Sequence, residues 1–307
     1  MPSPALLVDG LVMRYGDKAA VDGLSFCVER GSITAVLGPN GAGKSTTLET
    51  CEGYRRAQAG HIEVLGLDPW RDKPDLLPRI GVMLQSGGAW SGVRAEEMLR
   101  HVAALHAHPL PVPMLVERLG LGECGRTPYR RLSGGQQQRL SLAMAIIGRP
   151  ELVFVDEPTA GMDPAGRQDT WELLRELRAD GVTTVLTTHY MDEAEKLADQ
   201  VYVIDHGKQI AAGTPYELTR GTGTTTIRLV VTEPFPPEAP ESLRQALGDV
   251  TVRAVNARSL LVTGEADATT LGKVSAWCEE HGVLPESLAL GQRTLEDVFL
   301  ELTGRPL

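Results

Sequence analysis

Gly38-Pro39-Asn40-Gly41-Ala42-Gly43-Lys44-Ser45 decides how the rest of the chain is read. The octet fits the spacing GxxxxGK[ST]. Ahead of it Ile33–Leu37 is a short apolar run that reads as a strand, and behind it Ser45 to Cys51 opens a helix. Strand, glycine-rich turn, helix is the order a phosphate-binding loop requires. The glycines let the backbone curl so that its N–H groups point inward, and the new helix adds the positive end of its dipole. Lys44 offers a point charge to β- and γ-phosphates, and Ser45 a hydroxyl oxygen to Mg²⁺, a hard cation that keeps oxygen ligands. The bland alternative is a turn that only connects a strand to a helix, and the flanking elements weigh against it.

Working outward, Leu6–Val8 with Leu11 and Val12, and then Ala20–Val28, read as strands ahead of the loop. Beyond it, strands are expected at Ile80–Leu84, Leu152–Val155, Thr183–Thr187 and Val201–Ile204. Helices are expected from about Ala95 to Gly122, broken by Pro109, Pro111 and Pro113, and at Gln136–Ile147, Trp171–Ala179 and Met191–Ala198. Such alternation predicts an α/β domain with a mostly parallel, buried sheet. A Gly/Thr-rich stretch, Thr219–Thr226, marks a domain boundary. From Thr226 onward the chain reads strand, helix, strand, strand, helix, strand, helix, which resembles a split βαβ unit with one added helix.

Composition narrows the function classes. The 307 residues are 42% hydrophobic and 23% charged, with a net charge of −10, so no global basic field draws the chain to nucleic acid. Cys27, Cys51, Cys124 and Cys278 lie far apart without metal-ligand spacing and read as reduced thiols. No apolar run approaches the ~18 residues of a membrane span. Met1–Gly10 does not resemble a signal peptide, so a soluble, cytoplasmic protein is expected unless a partner holds it at a membrane.

Two further stretches carry chemistry. Leu152-Val153-Phe154-Val155-Asp156-Glu157 is an apolar strand ending in two carboxylates. Behind a phosphate loop, Asp156 is placed to orient Mg²⁺ ligands, and Glu157 to polarise an attacking water. Leu132-Ser133-Gly134-Gly135-Gln136 precedes a helix, with Ser133 as its cap and the glycines exposing backbone N–H groups, a second anion site.

Together these stretches resemble the ABC-type ATPases. Gly38–Ser45 is similar to the family's Walker A motif, Leu132–Gln136 to its LSGGQ signature, and Leu152–Glu157 to its Walker B strand with the adjacent glutamate. Gln85 stands where the Q-loop glutamine stands, Ala160-Gly161-Met162-Asp163 resembles the D-loop, His189 the switch histidine and Tyr15 the adenine-stacking aromatic. Met162 departs from the usual leucine, and Gln137-Gln138 replace frequent basic residues. The resemblance implies catalytic roles for Glu157, His189, Lys44 and Gln85. It implies ATP contacts from Tyr15, Gly38, Pro39, Asn40, Gly41, Ala42, Gly43, Lys44, Ser45, Thr46, Ser133, Gly134, Gly135, Gln136 and Asp163, and Mg²⁺ contacts from Ser45, Gln85 and Asp156.

The fold implied is a P-loop nucleotide-binding domain over 1–220, with a RecA-like core, an antiparallel β subdomain and a helical subdomain over about 86–150. A small α+β accessory domain, with a ferredoxin-like arrangement as the expectation, covers 221–307. One phosphate loop and one signature imply a homodimer closing over two ATP molecules. A separate integral membrane permease would dock on the region from Gln85 to Tyr129, with the chain peripheral on the cytoplasmic face of the membrane. Leu186–Glu195 and Leu295–Gly304 resemble the daunorubicin-resistance branch of multidrug exporters. Two alternatives stay open: a soluble ABC ATPase of translation or DNA repair, and a non-enzymatic nucleotide-binding scaffold.

Overall fold

The computed structural model describes residues 3–84, 88–220, 225–264 and 267–303. The chain divides into two compact units, Met1–Thr214 and Pro215–Leu307.

In the first unit β1 (Leu6–Tyr15) and β2 (Lys18–Val28) form an antiparallel hairpin, followed by β3 (Ile33–Leu37) and α1 (Lys44–Cys51). Next come β4 (Ala59–Val64), α2 (Lys73–Leu76) and β5 (Ile80–Met83). A helical stretch holds α3 (Ala95–Ala103), α4 (Val112–Arg118) and α5 (Gly134–Ile146). After it stand β6 (Leu152–Asp156), α6 (Pro164–Ala179), β7 (Thr183–Thr188), α7 (Met191–Leu197) and the hairpin of β8 (Gln200–Asp205) and β9 (Lys208–Gly213). β2-β1-β4 is a small antiparallel sheet, and β5-β6-β7-β3-β8-β9 a larger one, parallel except for β9.

The parallel sheet is covered on both faces, which is why its strands are continuous apolar runs. Side chains alternate across it. Leu152 and Phe154 enter one core with Val36, Val185 and residues of the antiparallel sheet. Val153 and Val155 enter the other with Ile33, Leu186 and the helical stretch, including Leu99, Leu115 and Leu140. The sequence reading reaches these strands to within a residue or two. It misses β4 and β9, and it starts α6 seven residues late, because Asp163 caps the helix ahead of Pro164.

The second unit runs α8 (Pro215–Arg220), β10 (Thr225–Val231), α9 (Ala239–Leu247), β11 (Thr251–Asn256), β12 (Ser259–Gly264), α10 (Ala268–Glu280), β13 (Pro285–Gln292) and α11 (Leu295–Thr303). Its strands form one antiparallel sheet in the order β11-β12-β10-β13, and Trp277, Leu243, Leu229 and Val262 lie in its core. The division falls at Thr214/Pro215, ahead of the expected Thr219–Thr226, because α8 packs with α11. Residues 221–224 of that stretch lie outside the described residues. Among the described residues no helix is long and apolar enough to cross a membrane.

Packing in the first unit brings the backbone close at Gly81, where an added Cβ would lie 2.1 Å from the Ala145 carbonyl oxygen. Gly81→Ala therefore forces β5 and α5 apart and is expected to cost about 1–3 kcal/mol in urea unfolding. Gly92→Ala, where a Cβ meets nothing within 4 Å, should leave the midpoint unchanged. Equal midpoints for both variants would refute this account of the contact.

Glu52, just past α1, is buried, and burial, with Asp156 and Glu49 nearby, raises its carboxyl to about 8. An unfolded glutamate titrates near its usual value of about 4.3. The folded state thus holds the proton longer, and this group's contribution to stability is lost as pH rises between those two values. Glu52→Gln is expected to stabilise the protein relative to the parent by an amount that grows from pH 5 to pH 8.5, read from unfolding midpoints.

Candidate functional site

The site is set by three neighbouring strands. β3 pairs in parallel with β7, Leu37 opposite Thr188, and β7 pairs in parallel with β6, Thr187 opposite Asp156. Their C-terminal ends are therefore level. β3 runs into the phosphate loop, β6 ends in Asp156 and Glu157, and β7 ends beside His189. Crevices beyond the C-terminal strand edge are where open α/β sheets take ligands.

The loop is shaped by glycines that cannot be replaced. Gly43, which caps α1, has φ +105°, and a Cβ there would lie 2.4 Å from the Ala20 carbonyl oxygen. A Cβ on Gly38 would lie 2.2 Å from the Ile204 carbonyl oxygen. Lys44 is only 7% exposed and curls over the loop, its Nζ donating to the Gly38 oxygen at 2.6 Å and the Pro39 oxygen at 3.2 Å. Burial pushes the Lys44 ammonium down, while Glu157 and Asp156 pull it back up. Ser45 is exposed at the helix start, Thr46 follows it half-buried, and Ala42 is packed into the core beside them.

Asp156 accepts a hydrogen bond from Thr187 Oγ1 on the adjacent strand. Burial holds its carboxyl above the usual range; the Thr187 bond and Lys44 oppose that, and Glu157 and Glu49 add to it. Glu157 turns off the strand with φ +49°, a left-handed conformation that a non-glycine residue adopts only when its surroundings impose it. Its N–H donates to the Thr187 carbonyl at 3.0 Å. Its Oε1 lies 3.0 Å from His189 Nδ1. Tyr190 packs its ring 4.0 Å from the His189 ring, and Arg167 sits 4.1 Å over the Tyr190 ring.

Lys44, Asp156, Glu157 and His189, distant in sequence, are thus one cluster. The other expected residues take separate places. Ser133 caps α5: its Oγ accepts from the Gln136 N–H at 3.2 Å, and the Gln136 side chain accepts from the Ser133 N–H at 3.0 Å. Gly134 and Gly135 form the first turn, and Gly135 leaves room for Met162, which a Cβ would meet at 3.4 Å. Asp163 caps α6, accepting from the Gly166 N–H at 2.8 Å. Tyr15, 47% exposed at the end of β1, has the Arg55 guanidinium 5.4 Å from its ring centroid. Gln85 lies outside the described residues.

Thr187 joins the candidate site through Asp156, and sequence reasoning misses it. The signal was present: Thr183, Thr184, Thr187 and Thr188 are all buried in β7, and a hydroxyl in a buried strand needs a partner. Gln58 is missed as well. It brackets Arg14, accepting from its N–H at 2.7 Å and donating to its carbonyl at 3.0 Å, and so pins the backbone that carries Tyr15.

The oxygen donors fit Mg²⁺. Ser45 and Asp156 are hard ligands, and the buried Asp156 carboxyl is held up where a cation would bring it down. Among the described residues there is no group of three His, Cys, Asp or Glu side chains that could hold a metal ion.

Residues 21–160 match the ABC transporter family profile. The chain is 40% identical to the daunorubicin resistance ATP-binding protein DrrA3 of Streptomyces coeruleorubidus, over 99% of this chain and 97% of that one. It is 37% identical to the Nod factor export ATP-binding protein I of Ralstonia nicotianae, over 99% and 95%. Among solved structures, an ATP-binding subunit of an ABC transporter superposes with a TM-score of 0.65 at 26% identity, covering 71% of this chain and 93% of that one. Likeness that runs through nearly the whole of both chains reaches far beyond a shared phosphate loop, and the chain belongs to the family of ABC transporter ATP-binding subunits, as an ATPase.

Proposed function

We propose that this chain powers a separate integral membrane permease that exports a drug-like, antibiotic or lipid-like compound. The observation that carries the reading is the full-length likeness to export ATP-binding proteins, which extends through the second unit as well as the ATPase unit. The first unit, through Thr214, is the nucleotide-binding domain. The second is an accessory domain, whose βαββαβ order and antiparallel sheet support a ferredoxin-like assignment. The chain would sit on the cytoplasmic face of the membrane through its permease. A role in translation or DNA repair has no observation in its favour.

The chemistry follows from the cluster. Loop N–H groups and Lys44 receive the phosphates of ATP. Ser45 and Asp156, with Gln85, would hold Mg²⁺, whose charge offsets that of the β- and γ-phosphates. Glu157 accepts a proton from a water as its oxygen attacks the γ-phosphorus; the bond to the β-phosphate oxygen breaks, leaving ADP and phosphate. His189, bonded to the same carboxylate, orients it and contacts the γ-phosphate. Tyr15 offers its ring to adenine. Ser133–Gln136 and Asp163 would complete the ATP site of a second copy, making an ATP-sandwiched homodimer.

Two outcomes test this. Lys44→Ala removes a charge-assisted contact, so its Kd for ATP by calorimetry is expected to rise about 10- to 100-fold. Affinity equal to the parent's would sink the loop assignment. Glu157→Gln should keep ATP binding, lower kcat on the order of 10²-fold or more, and elute as a dimer in gel filtration with ATP. A monomer at saturating nucleotide rules out the closing dimer.

A further inference from the structure

Arg167 lies in the first turn of α6, where its N–H donates to the carbonyl of the cap residue Asp163 at 3.0 Å. A cation there opposes the positive end of the helix dipole. Its Nε is buried with no hydrogen-bond partner, which is costly for a charged donor. Among the described residues no carboxylate pairs with it. All three features count against an arginine at this place. The contact that offsets them is with Tyr190: the guanidinium stands 4.1 Å from the Tyr190 ring centroid, as a cation–π pair.

Tyr190 is half-buried and stands between β7 and α7, directly before Met191. Its backbone is fixed, since its N–H donates to Thr188 Oγ1 at 2.9 Å. Its ring meets a second ring, that of His189, with centroids 4.0 Å apart and planes inclined by 39°. His189 Nδ1 in turn lies 3.0 Å from Glu157 Oε1. Arg167, Tyr190, His189 and Glu157 thus form a continuous run of contacts. An imidazole held by one bond can still turn about it, and packing against a second ring removes that freedom. A pair that only joined α6 to α7 could be two apolar side chains, with no buried donor left unpaired. Two flat groups in contact, one of them reaching His189, are what this pair adds.

We propose that Tyr190 and Arg167 are positioning residues for hydrolysis: the guanidinium holds the Tyr190 ring, and that ring holds His189 in the orientation that meets Glu157. This rests on the reading of His189 as the residue that orients Glu157 and contacts the γ-phosphate. Neither Tyr190 nor Arg167 touches nucleotide or water; both act through the imidazole.

The test uses the purified full-length chain. Tyr190→Leu, which fills the space without a ring, is expected to lower kcat about fivefold or more, with the Kd of a fluorescent ATP analogue within about twofold of the parent. Tyr190→Phe keeps the ring and should hold kcat within about twofold of the parent. Arg167→Ala should lower kcat about threefold or more at unchanged Kd, and it carries the test should Tyr190→Leu not fold. In a His189→Ala background the imidazole to be positioned is gone, so adding Tyr190→Leu should change the remaining kcat by less than about twofold. Parental kcat in both Tyr190→Leu and Arg167→Ala, with turnover lost in His189→Ala, overturns the proposal alone. Equal loss in the leucine and phenylalanine variants overturns it, as does a full further loss in the His189→Ala background. Loss of nucleotide binding together with kcat overturns it too, since that marks a role in the fold. Parental turnover in His189→Ala refutes the reading of His189 itself, and the proposal falls with it.

Discussion

The parallel pairing of β6, β7 and β3 is the constraint on which everything else depends. Both faces of these strands are buried, so their register is fixed by two cores at once. Leu152 and Phe154 belong to one core, Val153 and Val155 to the other. A slip of one residue would exchange the faces and carry Asp156 and Glu157 away from Thr187. The strand ends that carry Asp156 and Glu157 are therefore brought level by apolar side chains, and the bonds to Thr187 and His189 act on ends already placed. The chemistry is confined to the strand ends, where the cores stop.

At those ends charge is gathered unevenly. Lys44 is within the field of Asp156 and Glu157, and Asp156 is within that of Glu49 and Glu52. Lys44 donates to the Gly38 and Pro39 carbonyls. A phosphate chain entering this cluster meets carboxylates as well as a lysine. Lys44 alone cannot offset both, so an anion that brings its own cation is favoured over a bare one. The upward push on Asp156 is the other side of that fact: a buried carboxylate is costly until a positive charge stands beside it.

Sequence reading succeeds where a contiguous stretch dictates a backbone shape. Gly38–Ser45, Leu132–Gln136 and Leu152–Glu157 each state a backbone shape and a chemistry in a few residues, and the strands beside them are uniformly apolar. It fails where the cause is remote. β4 reads Ala-Gly-His-Ile-Glu-Val, and only Ile62 and Val64 are buried, so the segment shows its strand character only when β1 pairs with it. β9 is mostly exposed and exists as the return of a hairpin from β8. The threonines of β7 ask for partners, but the bonds from Thr187 to Asp156 and from Trp171 to Glu193 join residues 31 and 22 apart, and nothing local names the partner of either. The left-handed turn at Glu157 is likewise invisible, since glutamate does not favour it.

The two helix caps show why residue type matters beyond capping. Ser133 and Asp163 both begin helices, and each accepts a backbone N–H from its own first turn. Aspartate would cap α5 equally well, since both side chains are strong N-caps. A hydroxyl, however, accepts from its own helix and keeps a proton to donate, while a carboxylate only accepts. Were a phosphate to meet the start of α5, as proposed for the closed dimer, aspartate would add repulsion where serine adds a bond. At α6, where Pro164 withholds an N–H and Asp163 has one oxygen engaged, the remaining lone pairs suit a donor rather than an anion. The helix requirement is thus common to Ser133 and Asp163, and what separates them is that the hydroxyl can still donate while the carboxylate can only accept.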